Sequence, residues 1–302
     1  MAKNANLTPK DPDFITSIQR GIKVLGVFDR DHAELTLGEV AKRSVLSPAT
    51  ARRFLLTFKA LGYIGSNGRK YVLRPKVLEL AYAYLNSMNV DEALQPHLRE
   101  IVQRTGDSSS VVVLEGNEIV YIANSSVRRV VRLSAGVGSR FPAYVTSTGR
   151  VLLANRSPER LAHYFRTEYF RKFTEFTEID EQRLRQILAE ARINGYCVVQ
   201  DELEVGLVSI AVPIWGPAGN VIAAMNCSSV ARRTDSREML RTRLDLLKEF
   251  AQQVSAALAR FPSLAHSVAS EEIDASEKLR GQDTAEDISA QPDTRPGLPG
   301  DS

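Results

Sequence analysis

Two stretches of this chain hold residues whose types and spacing can do chemistry. The first is SPATARRF, residues 47–54, where Arg52 and Arg53 stand side by side at the start of what reads as a helix. An unpaired guanidinium in a core is costly, whereas at an exposed early helical position its donor fork can reach guanine O6 and N7 or clamp a phosphate. The second is TSTGRVLLA, residues 146–154, in which Thr146, Ser147 and Thr148 precede Gly149. Hydroxyls and first-turn N–H groups at a helix start can together hold a small carboxylate in a mostly apolar pocket. Arg128, Arg132 or Arg140, nearby in sequence, can add charge. The same hydroxyls, that of Thr146 above all, serve equally well as plain helix caps.

Catalytic patterns do not accompany them. Ser147, Ser209 and Ser228 have no histidine base in their own motifs, GVGSR departs from the G-x-S-x-G nucleophile elbow, and GSNGRK lacks phosphate-loop spacing. His32, His97, His163 and His266 are scattered without the spacing that sets two ligands on one helix face. Cys197 and Cys227 are too few for a thiolate metal site or a disulfide framework and read as buried strand residues. No catalytic residue, metal or cofactor is expected. No run approaches the roughly 18 apolar residues of a membrane span, and MAKNANLTPKDPD has no signal-peptide core, so the expected location is cytoplasmic, without a membrane partner.

The length, 302 residues, exceeds what a single core of roughly 250–300 residues usually holds. One small and one larger domain are expected, and charge separates them. Residues 1–90 carry fourteen Lys/Arg against seven Asp/Glu, while residues 262–302 carry three against nine. A small basic domain suits a polyanion, because cations that meet phosphates release condensed counterions, although a merely solvated basic face has the same composition.

Periodicity supplies the scaffold for the arginines. Ile18, Ile22, Leu25 and Phe28 recur at helical spacing, and residues 36–44 form a second short helix with Leu37, Val40 and Ala41 on one side. A third begins with Ser47 as N-cap and Pro48 at its first position, buries Ala51, Phe54, Leu55, Phe58 and Leu61, and stops at Gly62. Arg52 and Arg53 fall outside that stripe. So does Leu56, which meets a partner or marks a shift in helical phase. YIGSNGRKYVL then reads as a hairpin turning at Asn67 and Gly68, both at positive φ, with Arg69 and Lys70 on the return strand. Three short helices and a basic hairpin make a winged helix-turn-helix, whose third helix enters the major groove while the wing meets the backbone.

Farther along, residues 111–114 and 119–122 flank EGN, and residues 208–214 and 221–227 flank WGPAGN, as two hairpins. Helices interleave, notably residues 180–193 closing at Gly195. The pattern is α+β with antiparallel strands. Between the domains, residues 76–88 read as a helix with Val77, Leu78, Leu80, Ala81 and Leu85 apolar, more than it can bury alone, so it is expected to pack on a second subunit. The Ser-, Asp-, Glu-, Pro- and Gly-rich segment 262–302 is expected to be a disordered acidic tail.

At this point a family resemblance becomes visible. SIQRGIKVLGVFD, LTLGEVAKRSVLSPATARRFLLTFKALGYI and KYVLRPKVLELA resemble the N-terminal domain of the IclR family of bacterial transcription regulators. LSAGVGSRFPAYVTSTGRVLLA and GYCVVQDELEVGLVSIAVPIWGPAGNVIAAMNCSS resemble its two effector-domain signatures, so the likeness spans roughly residues 14–260. Within the family, DPDFITSIQRGIKVLGVF and RFPAYVTSTGRVLLA are most similar to the PcaR/PcaU/PobR branch, which regulates aromatic-acid and β-ketoadipate catabolism. The resemblance implies a GAF-like α+β effector domain and maps the family's effector-contacting positions onto Leu207, Ser209, Asn226 and Ser228. Val199 stands where some members carry an acidic ligand contact, so effector identity does not transfer from them. The aromatic branch makes Tyr144 and Trp215 candidate pocket walls.

The resulting expectation is a winged helix-turn-helix at 14–75, a linker helix at 76–90, an effector-binding domain at 91–261 and the tail at 262–302. Candidate contacts to double-stranded operator DNA are Ser47, Ala49, Thr50, Arg52, Arg53, Thr57, Arg69 and Lys70. Candidate contacts to a small carboxylate or aromatic-acid effector are Tyr144, Thr146, Ser147, Gly149, Leu207, Ser209, Asn226 and Ser228. A homodimer or homotetramer is expected. The alternative is a small-molecule-binding or enzymatic α+β domain whose basic N-terminal part serves protein contacts.

Overall fold

The structure, a computed structural model, describes residues 12–29, 31–126 and 135–268. The chain divides into two compact units at residues 87 and 88.

The first unit is built on well-capped helices. Its order is α1 (Thr16–Leu25), β1 (Leu35–Thr36), α2 (Leu37–Ser44), α3 (Pro48–Ala60), β2 (Ile64–Ser66) and β3 (Lys70–Leu73), the strands forming an antiparallel sheet in the order β1-β3-β2. Thr36 starts α2 through a capping box: its N–H donates to Glu39 Oε2 at 2.7 Å, and its hydroxyl accepts from the Glu39 N–H. Val45, left-handed at φ 57°, ends that helix. Ser47 Oγ accepts the Thr50 N–H, and Pro48 occupies the first helical position of α3, as its sequence predicts. Val24, Val40, Ala41, Ala51, Leu55 and Ile64 interlock as the small core.

Three expectations for this unit need correction. Ile18 and Ile22 are exposed, and α1 instead buries Gly21 and Val24, with the Phe54 and Phe58 rings packed close against Gly21. Leu61, expected inside, is exposed, since α3 has already ended at Ala60. The hairpin turns one residue later than expected. The Asn67 N–H donates to the Lys70 carbonyl, so Gly68 and Arg69 are central, and only Gly68 has positive φ, at 103°. The Asn67 side chain accepts the Lys70 N–H and completes the turn. Beyond the hairpin, a 3₁₀ turn (Pro75–Val77) leads into α4 (Leu78–Ser87), which buries none of its residues and exposes Leu78, Leu80 and Tyr82.

The second unit is a six-stranded antiparallel sheet with helices on both faces. Its elements are α5 (Val90–Thr105), β4 (Ser108–Glu115), β5 (Glu118–Ser125), β6 (Arg140–Pro142), α6 (Ser147–Ala154), α7 (Pro158–Thr167), α8 (Glu181–Asn194), β7 (Cys197–Gln200), β8 (Leu207–Trp215), β9 (Val221–Val230) and α9 (Ser236–Leu258). The strand order is β6-β5-β4-β9-β8-β7. Both hairpins read from the sequence are present, with Leu114 opposite Ile119 and Ile214 opposite Ala223. Asp180 caps α8 and Gly195 closes it at φ 72°, as expected. α5 and α9 pack on one face of the sheet; α6 packs on the other, together with α8.

Residues 262–268 correct the expected boundary of the acidic tail. They are helical and bury Leu264 and Ala265, an apolar pair outweighed in the sequence by the polar residues after it. The rest of the expected tail lies outside the described residues.

Candidate functional site

Geometry first separates the predicted cationic residues from the core. Ser47, Ala49, Arg52, Arg53 and Thr57 are exposed on α3, with Thr50 half-buried, and Arg69 and Lys70 are exposed at the hairpin. Two of the hydroxyls are committed locally. Ser47 and Thr50 share a hydrogen bond of 2.9 Å, and Thr57 donates to the Arg53 carbonyl. Among the described residues Arg52, Arg53 and Arg69 form no ion pair, while Lys70 stands 3.8 Å from Glu34 in a loose, solvated contact. Leu56 does face outward, 42% exposed. The first unit thus presents uncompensated guanidinium groups on one helix and at the adjoining hairpin tip, the chemistry that a phosphate backbone and base edges engage.

The second predicted group converges because of strand register. β7, β8 and β9 align Val199, Ser209 and Ser228 as direct cross-strand partners, and Asn226 lies two residues from Ser228 on the same face. The α6 N-terminus meets this row. Ser209 Oγ is 2.9 Å from Ser147 Oγ and 2.9 Å from Ser228 Oγ, and it accepts the Asn226 amide N–H at 3.1 Å. The Ser110 N–H donates to Asn226 Oδ1, which fixes that amide's orientation. Thr146 Oγ1 accepts the Gly149 N–H as the helix cap, whereas the Ser147 and Thr148 N–H groups have no hydrogen-bond partner among the described residues. Together with Tyr121, Val145, Val199, Leu203 and Leu207 they line a cleft. Its void is about 30 Å³, room for roughly one water molecule.

A charge pair that the sequence did not reveal borders the cleft, reaching its lining through Glu202. Arg150, only 2% exposed on α6, grips Glu202 with two parallel bonds of 2.7 and 2.6 Å, and its Nε–H donates to the Tyr144 carbonyl at 2.7 Å. Glu202 Oε2 further accepts the Glu178 N–H, and the Thr177 hydroxyl donates to the Glu202 carbonyl. The pair is neutral as a unit. An anion in the cleft would therefore be held by the α6 N-terminus and by hydroxyl donors rather than by an unpaired cation. Tyr121 adds a phenol that burial pushes up to about 12, so at neutral pH it remains an O–H donor.

Several predicted residues lie elsewhere. Tyr144 is 1% exposed in the core, its hydroxyl donating to the Arg171 carbonyl, and does not line the cleft. Trp215 is 46% exposed at the end of β8. Gly149 has its N–H already bonded, and any Cβ there would overlap the Ala143 carbonyl, so this glycine permits close packing and does not hold an anion. Gly149→Ala should cost at least about 1–3 kcal/mol, the usual penalty of overpacking, read as a lowered denaturant midpoint. Arg140 pairs with Glu115 and Glu118 on the surface, while Arg128 and Arg132 lie outside the described residues. Burial pushes the Cys197 thiol up to about 11 and the Cys227 thiol up to about 12, so neither is a thiolate at neutral pH. Among the described residues no helix is long and apolar enough to cross a membrane.

The likenesses to known proteins agree with this arrangement. Residues 17–68 match the IclR helix-turn-helix domain, and residues 82–256 match the C-terminal domain of bacterial IclR transcriptional regulators. The chain is 39% identical to the Pca regulon regulatory protein of Pseudomonas putida, over 82% of this chain and 85% of that one. It is 32% identical to the p-hydroxybenzoate hydroxylase transcriptional activator of Acinetobacter baylyi, over 80% and 91%. A solved IclR homologue from Microbacterium hydrocarbonoxydans, complexed with 4-hydroxybenzoate, is 26% identical, with a TM-score of 0.68 over 81% of this chain and 99% of that one. With a helix-turn-helix unit and a sheet-based unit each matching its own half of one architecture, the chain belongs to the IclR family of bacterial transcriptional regulators.

Proposed function

We propose that the protein is an effector-responsive regulator that binds operator DNA through α3 and the β2–β3 hairpin, and binds a small aromatic carboxylate in the cleft at the α6 N-terminus. The observation that carries the reading is the Ser147, Ser209, Ser228 and Asn226 cluster, where hydroxyl and amide groups meet two helix N–H groups that have no partner among the described residues. The hydroxyls and N–H groups suit a carboxylate; Tyr121, Val145, Val199, Leu203 and Leu207 suit a ring. The names of the similar proteins point to the Pca regulon and to p-hydroxybenzoate hydroxylase, and a solved homologue holds 4-hydroxybenzoate. Those relatives are named as regulators, and no histidine lines the cleft, which favours sensing over turnover.

A void near 30 Å³ is far below the roughly 300 Å³ and more of occupied small-molecule sites, so the ligand must displace a wall. Leu203 and Leu207 are the natural candidates, because neighbouring Glu202 is held by Arg150, the Glu178 N–H and the Thr177 hydroxyl. Binding would then be linked to a change of shape, which an allosteric regulator requires. The exposed apolar residues Leu78, Leu80 and Tyr82 favour a homo-oligomer joined through α4. A thermal-shift series with protocatechuate, 4-hydroxybenzoate, β-ketoadipate and pyruvate tests the ligand class. At a hundredfold excess over Kd the right acid should add about 2.7 kcal/mol of stability. An unchanged midpoint with all of the aromatic acids would refute it.

A further inference from the structure

Tyr121 lines the cleft with a phenol that the serine cluster does not engage. Its hydroxyl has no hydrogen-bond partner among the described residues, and burial, with no neighbouring charge, is what pushes it up to about 12. The residue is nevertheless held firmly. Its N–H donates to the Ser139 carbonyl at 3.0 Å, and its carbonyl accepts the Gly138 N–H at 2.8 Å. Its ring meets the Phe141 ring edge-on, with centroids 5.8 Å apart. A β-bulge follows it directly, since Ile122 falls between the pairs Val112–Tyr121 and Val111–Ala123. A donor pinned through its backbone and ring but free at its hydroxyl is preorganised for a ligand atom rather than for the fold.

Strand register sets Tyr121 apart from the serines. Tyr121 pairs with Val112, and Val112 pairs with Ala224, which lies four residues before Ser228 on β9. Four residues of strand rise span roughly 13 Å, and β4 stands between as well. Ser147, Ser209 and Ser228 gather at one end of the cleft through contacts of 2.9 Å. Tyr121 enters from the other end, so the two cannot bond the same ligand atom. The α6 N-terminus at the serine end carries the partial positive charge that suits a carboxylate. At the Tyr121 end a lone neutral phenol, with no cation beside it, suits an uncharged group that can both donate and accept, which on an aromatic acid is a ring hydroxyl. An acid with that hydroxyl on the carbon opposite its carboxylate reaches both ends. One with a methyl group there leaves the Tyr121 O–H buried and unpaired, which a site of this kind penalises.

We propose that Tyr121 is the residue by which the cleft selects a hydroxylated aromatic carboxylate, its O–H bonding the ring hydroxyl opposite the carboxylate that the α6 N-terminus holds. This rests on the cleft being the effector site. Calorimetric titration of the full chain with 4-hydroxybenzoate and 4-methylbenzoate, acids of nearly equal shape, tests both statements. The wild type should favour the hydroxylated acid by at least about tenfold. Tyr121→Phe, which keeps the ring against Phe141, should lose that preference through weaker binding of 4-hydroxybenzoate alone, holding 4-methylbenzoate at least as tightly as the wild type does. Ser209→Leu should weaken both acids alike. Equal weakening of the two acids in Tyr121→Phe would mean that the phenol only packs, and would overturn the proposal while leaving the cleft reading intact; a preference unchanged by the substitution would do the same. If Tyr121→Phe does not fold, the wild type decides, and equal affinity for the two acids overturns the proposal. Binding of both acids that Ser209→Leu leaves intact, or binding of neither by the wild type, refutes the cleft reading and the proposal with it.

Discussion

Replacing Arg150 by methionine is expected to cost about 3–5 kcal/mol of unfolding free energy, the usual effect of removing one partner from a buried ion pair. Arg150 is 2% exposed and the Glu202 side chain 12%, so Arg150→Met leaves a carboxylate facing apolar walls without its bidentate donor. It also removes the donor to the Tyr144 carbonyl. For a unit of this size the loss corresponds to a fall in Tm of roughly 6–20 °C, measurable by calorimetry. The double variant Arg150→Met, Glu202→Gln should recover part of it, because the abandoned charge disappears. A double variant no more stable than the single one would mean that the arginine acts through packing alone.

Arg53→Ala should lower the preference for operator over random DNA by roughly 5- to 150-fold, the ~1–3 kcal/mol of one bidentate base contact. Its guanidinium is exposed and unpaired among the described residues, so the substitution removes no fold contact beyond the side-chain stem. Lys70→Ala should behave differently. On the proposed reading this hairpin-tip lysine meets phosphate, so all sequences should weaken alike and the salt slope should flatten by about one ion. Competition binding at several salt concentrations separates the two effects. An unchanged operator preference in Arg53→Ala would remove α3 from the major groove.

Local signals made much of the fold legible. Period-2 runs around EGN and WGPAGN gave the two large hairpins, and Asp180 with Gly195 framed α8, because caps and turns are decided by a few adjacent residues. α1 was misread because Ile18 and Ile22 are as apolar as any core residue, while Gly21, which admits the Phe54 and Phe58 rings, carries no hydrophobic signal at all. The hairpin shifted by a residue because Asn67 acts through its side chain rather than through a positive φ.

The cleft divides along the same line. Thr146 and Ser147, read from the start of a helix, and Leu207, Ser209, Asn226 and Ser228, implied by the resemblance, all line it. Tyr121, on a different strand, and Glu202 were missed, because their approach depends on sheet order and not on neighbours in the chain. An arginine inside the apolar run GRVLLA was the available clue to Arg150, but its partner lies 52 residues away. Tyr144, whose carbonyl accepts the Arg150 Nε–H, and Gly149, packed on Ala143, turn out to hold the motif's helix against its own approach segment.

The central claim is that occupancy of the serine-lined cleft controls operator binding. It is tested most directly by fluorescence anisotropy of a labelled operator fragment at fixed salt, titrated with 4-hydroxybenzoate on the wild type and on Ser209→Leu. Ser209 belongs to the cleft and to none of the candidate DNA contacts, so the two proteins should bind operator with nearly equal affinity without ligand. Saturating ligand should change the wild-type Kd by about tenfold, a coupling of about 1.4 kcal/mol, and leave Ser209→Leu unmoved. A full ligand response in Ser209→Leu would contradict the account.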